Sequence, residues 1–264
     1  MPHKRKIIAD VGIKKVPFPM TVLSRDNEEG QKTVANITIH ARIIQEFEAN
    51  WIDKFVQVLH QHQGKIGTRS LKTNIYDYLN ALKATSVTVD FDYPYFVTKK
   101  TPVSKEECLV KYQCKYTSKL TVSSEHPKIT FRIEAPVITT DPASDPDLPG
   151  GLFGQLSMIS IEVESEKNIY VEDLVEIVDS HALASVYSFL TEEDQIEIIK
   201  RVHRDRVSSV VLTDAIKEKL AHMEHINWYS VKCANFSMLH SHSTLIGIEK
   251  NMGIPYSCYD FDEL

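Results

Sequence analysis

His240-Ser241-His242 is the triplet in this chain whose residue types and spacing best suit chemistry. In extended backbone, side chains at i and i+2 leave on the same side, so the two imidazoles would share a face. Such a pair could pass protons as general acid and base, or ligate a metal, because histidine changes charge near neutral pH. The spacing fits surface decoration equally well. His60 and His62 make a weaker pair, since they fall in a helical pattern in which i and i+2 do not share a face.

A second candidate is the loop from Asp141 to Gly151, with three acids, three prolines and two glycines. An acidic loop can bind Ca²⁺, but the EF-hand spacing of carboxylates is not met, and the prolines point to a rigid, solvated connection. The four cysteines, Cys108, Cys114, Cys233 and Cys258, form no CxxC pair, so neither a zinc knuckle nor a redox motif is supported. Cys108 and Cys114 should lie on one face of a strand, as reduced side chains of a sheet.

The elements that must position these groups follow from periodicity. Alternation of apolar and polar residues marks strands at 33–43, 86–98, 108–122, 128–139, 155–165, 228–239 and 244–249. Three- and four-residue spacing marks helices from Gln45 to Gln61 and from Leu71 to Ala84. Helices are also expected over 171–190 and from Glu193 to about Ala221. The order strands, helices, strands therefore occurs twice, without residue-level similarity between the halves. The reading is an α+β chain with an N-terminal module over 1–123, a C-terminal module over 124–250 and an irregular tail over 251–264.

A length of 264 residues suits two packed units. With 36 acidic against 30 basic side chains the net charge is −6, which carries no nucleic-acid footprint and no attraction to anionic membranes. No apolar run is long enough for a membrane span and no export signal is visible, so a cytoplasmic location is expected.

Several short patches carry a resemblance. They are Val11-Gly12-Ile13-Lys14-Lys15-Val16-Pro17-Phe18-Pro19; Asp26 with Gly30-Gln31-Lys32-Thr33-Val34-Ala35; and Tyr93-Pro94-Tyr95-Phe96 with Lys99 and Thr101-Pro102-Val103-Ser104. Ser185-Val186-Tyr187 with Phe189-Leu190, and Asn235-Phe236 with Leu239-His240-Ser241-His242-Ser243, complete the series. In type and order they resemble the GTP cyclohydrolase IB family, whose last motif reads Asn-Phe-Glu-Ser-Ile-His-Asn-His-Ser. The resemblance implies two tandem T-fold modules, antiparallel sheets each with two helices packed on one face, assembled as a homotetramer. It also implies an activity: water opens the imidazole ring of GTP, formate leaves, and 7,8-dihydroneopterin triphosphate forms for folate or related pterin synthesis. In that family a zinc-type ion held by Cys, His and Glu activates the water.

The chain departs from the family at those ligands. The Cys-Pro-Cys-Ser-Lys stretch aligns with Asp141-Pro142-Ala143-Ser144-Asp145, and Gly-Ala-His-Asn-Gln-Arg-Ser aligns with Gly151-Leu152-Phe153-Gly154-Gln155-Leu156-Ser157. The three metal positions thus fall at Asp141, Phe153 and Gln195, the substrate-anchoring glutamate falls near Val210, and a basic stretch falls at 48–54. No resident metal or cofactor is expected from this set. His240 and His242 are the expected catalytic residues, and the retained Gln155 and Ser157 the expected ligand-binding ones. The resemblance then implies a divergent homologue with zinc-dependent ring opening lost or altered and a purine- or pterin-like pocket retained. Two alternatives stay open: an active GTP cyclohydrolase using Asp141, His240 and His242 with Asp145, Glu192 or Glu193, or a non-catalytic oligomeric T-fold subunit.

Overall fold

The computed structural model describes residues 9–43, 51–62 and 64–250. The helix start expected at Gln45, the tail over 251–264 and Cys258 lie outside the described residues.

Strict alternation makes the central strands. In β4 (Ser86–Lys100) Val87, Val89, Phe91, Tyr93 and Tyr95 are buried, and their neighbours are less so. Facing them across an antiparallel ladder, β5 (Glu107–Thr121) buries Cys108, Val110, Tyr112, Cys114 and Tyr116. Cys108 and Cys114 do share that face, as reduced thiols. Each large side chain buried this way contributes about 1.5–3 kcal/mol relative to exposure.

Around this pair the first half places β1 (Ala9–Val22), β2 (Gln31–Ile43), α1 (Trp51–Gln61), a two-residue β3 (Lys65–Ile66) and α2 (Thr68–Ala81). The second half runs β6 (Lys128–Thr140), β7 (Gly154–Ser165), α3 (Val171–His181), β8 (Ala184–Ser185), α4 (Glu192–Arg204), α5 (Ser209–Ala221), β9 (Ile226–Phe236) and β10 (Thr244–Glu249). Both halves contribute to one sheet, ordered β10-β9-β7-β6-β5-β4-β2-β1-β3, with β8 paired to β6. The fold is α+β, two T-fold modules in tandem, and the β5–β6 ladder from Gln113↔Glu134 to Lys119↔Lys128 makes their strands continuous. Tyr93, Tyr116 and Phe131 carry aromatic contact across that seam, with centroids 6.4 and 4.6 Å apart.

Three differences from the periodicity reading have physical causes. β1 was not marked as a strand because its alternation breaks at a bulge between Ile13 and Val16 and two prolines follow. Lys15 takes a φ of 56° at that bulge, and its N–H donates to Thr38 Oγ1 at 3.2 Å. The helix expected over 171–190 stops at His181, because the chain leaves to form β8 on β6. The long helical region after Glu193 is two helices, since Asp205–Ser208 is extended and Ser208 caps α5 by accepting from Val211 N–H. α3 and α5 pack on the sheet of the second half, and α4 packs at its end beside β8.

A polar seam joins the first half to α3 and α4. Arg25 donates to Asp173 and Glu176, Lys99 Nζ lies 2.5 Å from Asp179 Oδ2, and Ser24 Oγ donates to Glu172 Oε1 at 2.6 Å. Tyr95 adds its phenol O–H to the same Glu172 oxygen at 2.5 Å. Asp194 is completely buried and accepts from the N–H groups of Val103 and Ser104 and from the hydroxyls of Ser104 and Thr191. Among the described residues no helix is long and apolar enough to cross a membrane.

Candidate functional site

The site lies where β6 ends, β7 begins and the turn from β9 to β10 passes. Asp141 follows directly on β6, and its N–H donates to the carbonyl of Phe153 at 3.0 Å, closing the loop between them. The carboxylate is 1% exposed. Its Oδ1 accepts from Ala143 N–H at 2.9 Å and its Oδ2 from Ser237 Oγ at 2.7 Å. Ser144 donates its hydroxyl and N–H to the Asp141 carbonyl. Beyond this tight start Asp145 and Asp147 are exposed, and Gly150 and Gly151 take φ values of 101° and 65° that side chains disfavour. The loop is the solvated turn its composition suggested.

Ser237 begins the turn that carries the histidines. His240 and His242 are exposed, with ring centroids 5.0 Å apart at an interplanar angle of 28°. They do share a side, although the backbone between β9 and β10 is a turn and not a strand.

Behind them is a buried network. Ser157 Oγ donates to Asn235 Oδ1 at 2.8 Å and contacts Thr139 Oγ1 at 2.7 Å. Gln155 Nε2 donates to Thr139 Oγ1 at 3.3 Å, and Asn235 Nδ2 to Ser209 Oγ at 3.1 Å and Thr244 Oγ1 at 3.3 Å. Cys233 joins through Asn235 Oδ1, and burial pushes its thiol up to about 11 against a Ser157 bond that opposes the shift. The network ties β6, β7, β9, β10 and α5 at one end, so the turn springs from a braced base. Gln155 and Ser157 are buried within it, bonded to protein partners through Gln155 Nε2 and Ser157 Oγ.

At the three positions where the resemblance places metal ligands, the side chains are engaged within the protein or turned to solvent. Each oxygen of Asp141 accepts one hydrogen bond, Phe153 offers only its carbonyl, which accepts from Asp141, and Gln195 is exposed with Nε2 turned to the Leu190 carbonyl at 3.4 Å. Among the described residues no three His, Cys, Asp or Glu side chains converge, so Asp141, His240 and His242 do not close a set with Asp145, Glu192 or Glu193 within one copy. Val210 is 57% exposed at the start of α5. Of the stretch at 48–54, residues 48–50 lie outside the described residues, and Asp53 sits in the first turn of α1.

Sequence reasoning missed Ser237, Asn235 as a hub, Asp194 as a buried anchor, and Glu172. Asp194 left a signal as the third residue after Thr191 in a capping box, and Asn235 as a member of the closing motif.

Apolar side chains surround this end of the sheet. Leu156 and Phe236, opposite one another on β7 and β9, are exposed, as are Met238, Leu239, Val210 and Val211.

Comparison with known proteins agrees with this architecture. The GTP cyclohydrolase FolE2 of Syntrophotalea carbinolica is 29% identical over 246 residues, covering 93% of this chain and 91% of its own. That of Geotalea uraniireducens is 29% identical over 244 residues, covering 92% and 89%. Among solved structures, the uricase from Arthrobacter globiformis shares the fold at 10% identity, with a TM-score of 0.51 and 95% and 96% of the two chains covered. A hyperthermostable mutant of the Bacillus sp. TB-90 urate oxidase aligns at 8% identity, with a TM-score of 0.52 and coverage of 93% and 98%. Residues 2–245 match the family model described as type I GTP cyclohydrolase FolE2, and the chain belongs to that family.

Proposed function

We propose that this chain is a divergent FolE2 homologue of the IB kind that binds a purine or pterin-like ligand beside His240 and His242, with zinc-dependent opening of GTP lost or altered. The observation that carries the reading is the state of Asp141: its carboxylate is buried and each oxygen already accepts a hydrogen bond within the protein, while Phe153 adds no side-chain ligand and Gln195 only a neutral amide. His240 and His242 remain able to hold or move a proton at a ring nitrogen, since both are exposed. Gln155 and Ser157 serve the pocket from behind through Thr139 and Asn235.

The site end is completed by a second copy in a homotetramer. Its support is the exposed apolar set Leu156, Phe236, Met238 and Leu239 beside the histidines, a grouping that favours cover by another chain. The cytoplasm is the compartment in which such an assembly meets nucleotides.

Protein purified without chelator is to be assayed for metal content, for release of a fluorescent neopterin from GTP, and for GTP binding by calorimetry. Binding without stoichiometric metal or turnover is the expected result. Stoichiometric zinc together with GTP consumption would establish the second reading, an active GTP cyclohydrolase, which the name and coverage of its relatives favour. Absence of both binding and turnover would remove the pocket and leave a non-catalytic subunit.

A further inference from the structure

We infer that Asp141, standing where the family places its metal thiolate, is a positioning residue that holds the His240–His242 turn through Ser237. The inference rests on the proposed function only for what the histidines do; the hold itself is a matter of geometry.

An ionised carboxylate can only accept, so Ser237 must give its single hydroxyl proton to Asp141 Oδ2, 2.7 Å away. That assignment leaves the lone pairs of Ser237 Oγ facing inward on the turn, where one accepts the N–H of Leu239 at 3.2 Å. The result is a directed chain from Leu239 N–H through Ser237 O–H to Asp141. Asp141 is itself fixed by Ala143 N–H on its other oxygen and by the Phe153 carbonyl on its own N–H. Among the described residues, this chain is the one hydrogen-bonded tie between residues 238–243 and the body of the protein. The residue next to that tie is His240.

The exchange is chemically consistent at both ends. Asp141 retains the single negative charge of a thiolate, but a hard carboxylate oxygen accepts a short, strong bond from a hydroxyl. At 237 the family motif has Glu after Asn-Phe, and a carboxylate there would stand against Asp141. Serine supplies the donor that the aspartate requires.

The test uses the full chain as Asp141→Ala, Asp141→Asn, Ser237→Ala, Ser237→Thr and the double alanine variant. Amide exchange is followed by mass spectrometry on peptides covering 237–243, and a crystal structure of each alanine variant gives the His240–His242 ring separation. Asp141→Ala and Ser237→Ala should each speed exchange in that segment about tenfold, as loss of a charge-assisted hydrogen bond implies. The double variant should add nothing further, and Ser237→Thr should restore slow exchange because the hydroxyl is kept. Asp141→Asn, which preserves shape and can still bond Ser237, should fall between wild type and alanine. Unchanged exchange in Asp141→Ala with folded protein, additive single effects, or failure of threonine to rescue would overturn the inference. GTP binding measured on the same samples separates the two ideas: its absence in wild type removes the proposed function, while the exchange results still decide the hold.

Discussion

Tyr95→Phe tests whether the seam between the two halves depends on a buried carboxylate. Tyr95 is 1% exposed and Glu172 5%, and the phenol donates to Glu172 Oε1 at 2.5 Å beside Ser24 Oγ at 2.6 Å. Glu172 Oε2 is buried with no hydrogen-bond partner among the described residues, so the carboxylate is satisfied on one oxygen only. Burial first, and then the carboxylate it bonds, holds the Tyr95 phenol protonated far above its ordinary value of 10.0, which secures it as donor at any pH the protein meets. Removing one of two donors from a buried charge should cost about 1.5–3 kcal/mol. For a chain of this size that corresponds to a fall in Tm of roughly 3–12 °C.

Glu172→Gln supplies the second arm. A glutamine keeps the acceptor that Tyr95 and Ser24 use and replaces a charged, unpartnered oxygen by a neutral amide. In that background Tyr95→Phe should cost only about 0.5–1.5 kcal/mol, the worth of a neutral hydrogen bond. Urea denaturation of the four proteins closes a double-mutant cycle whose coupling should be about 1 kcal/mol or more. A cost for Tyr95→Phe below about 0.5 kcal/mol, or an equal cost in both backgrounds, would refute the view that the phenol stabilises a charge.

Asp194→Asn should destabilise the protein at neutral pH. Burial pushes the Asp194 carboxyl up, but bonds from Ser104, Thr191 and the N–H groups of Ser104 and Val103 outweigh it and hold the group well below its ordinary 3.8. A lowered folded value stabilises above 3.8 and is lost as pH falls through the folded value, so the gap between wild type and variant, read by denaturation at several pH values, should narrow below about pH 4. Cys108, Cys114 and Cys233 should resist alkylation at pH 8 until the chain unfolds, because all three are buried and burial raises the thiols of Cys114 and Cys233; mass mapping after a timed pulse checks this. Gly30→Ala should cost about 1–3 kcal/mol by calorimetry. Its φ is +77° and a Cβ there would lie 2.4 Å from the Val22 carbonyl oxygen.

Local rules made much of the architecture legible. Alternation in 86–98 and 108–122 reveals β4 and β5, because each residue's face on a strand depends only on its parity. The motif series pointed to a GTP cyclohydrolase, and the chain belongs to the FolE2 family; the residues Asp141, Phe153 and Gln195 were visible as residue types. Where local pattern and local structure disagree, the reading stopped: a bulge at Lys15 hid β1, and the extended Asp205–Ser208 hid the break between α4 and α5.

The site's wiring was a tertiary matter. Nothing in a loop rich in proline and aspartate says that Asp141 turns inward to a serine 96 residues away. Nor does the retained Gln155–Ser157 pair show that Gln155 Nε2 reaches Thr139 and Ser157 Oγ reaches Asn235. Glu172 looks like an ordinary acid in the first turn of a helix, yet it meets Ser24 and Tyr95 from the other half, 148 and 77 residues distant. Side-chain type and periodicity are properties of a short segment and can be read from it. The partner of a buried polar group is chosen by which distant strands the sheet brings alongside, and that choice exists only once the chain has folded.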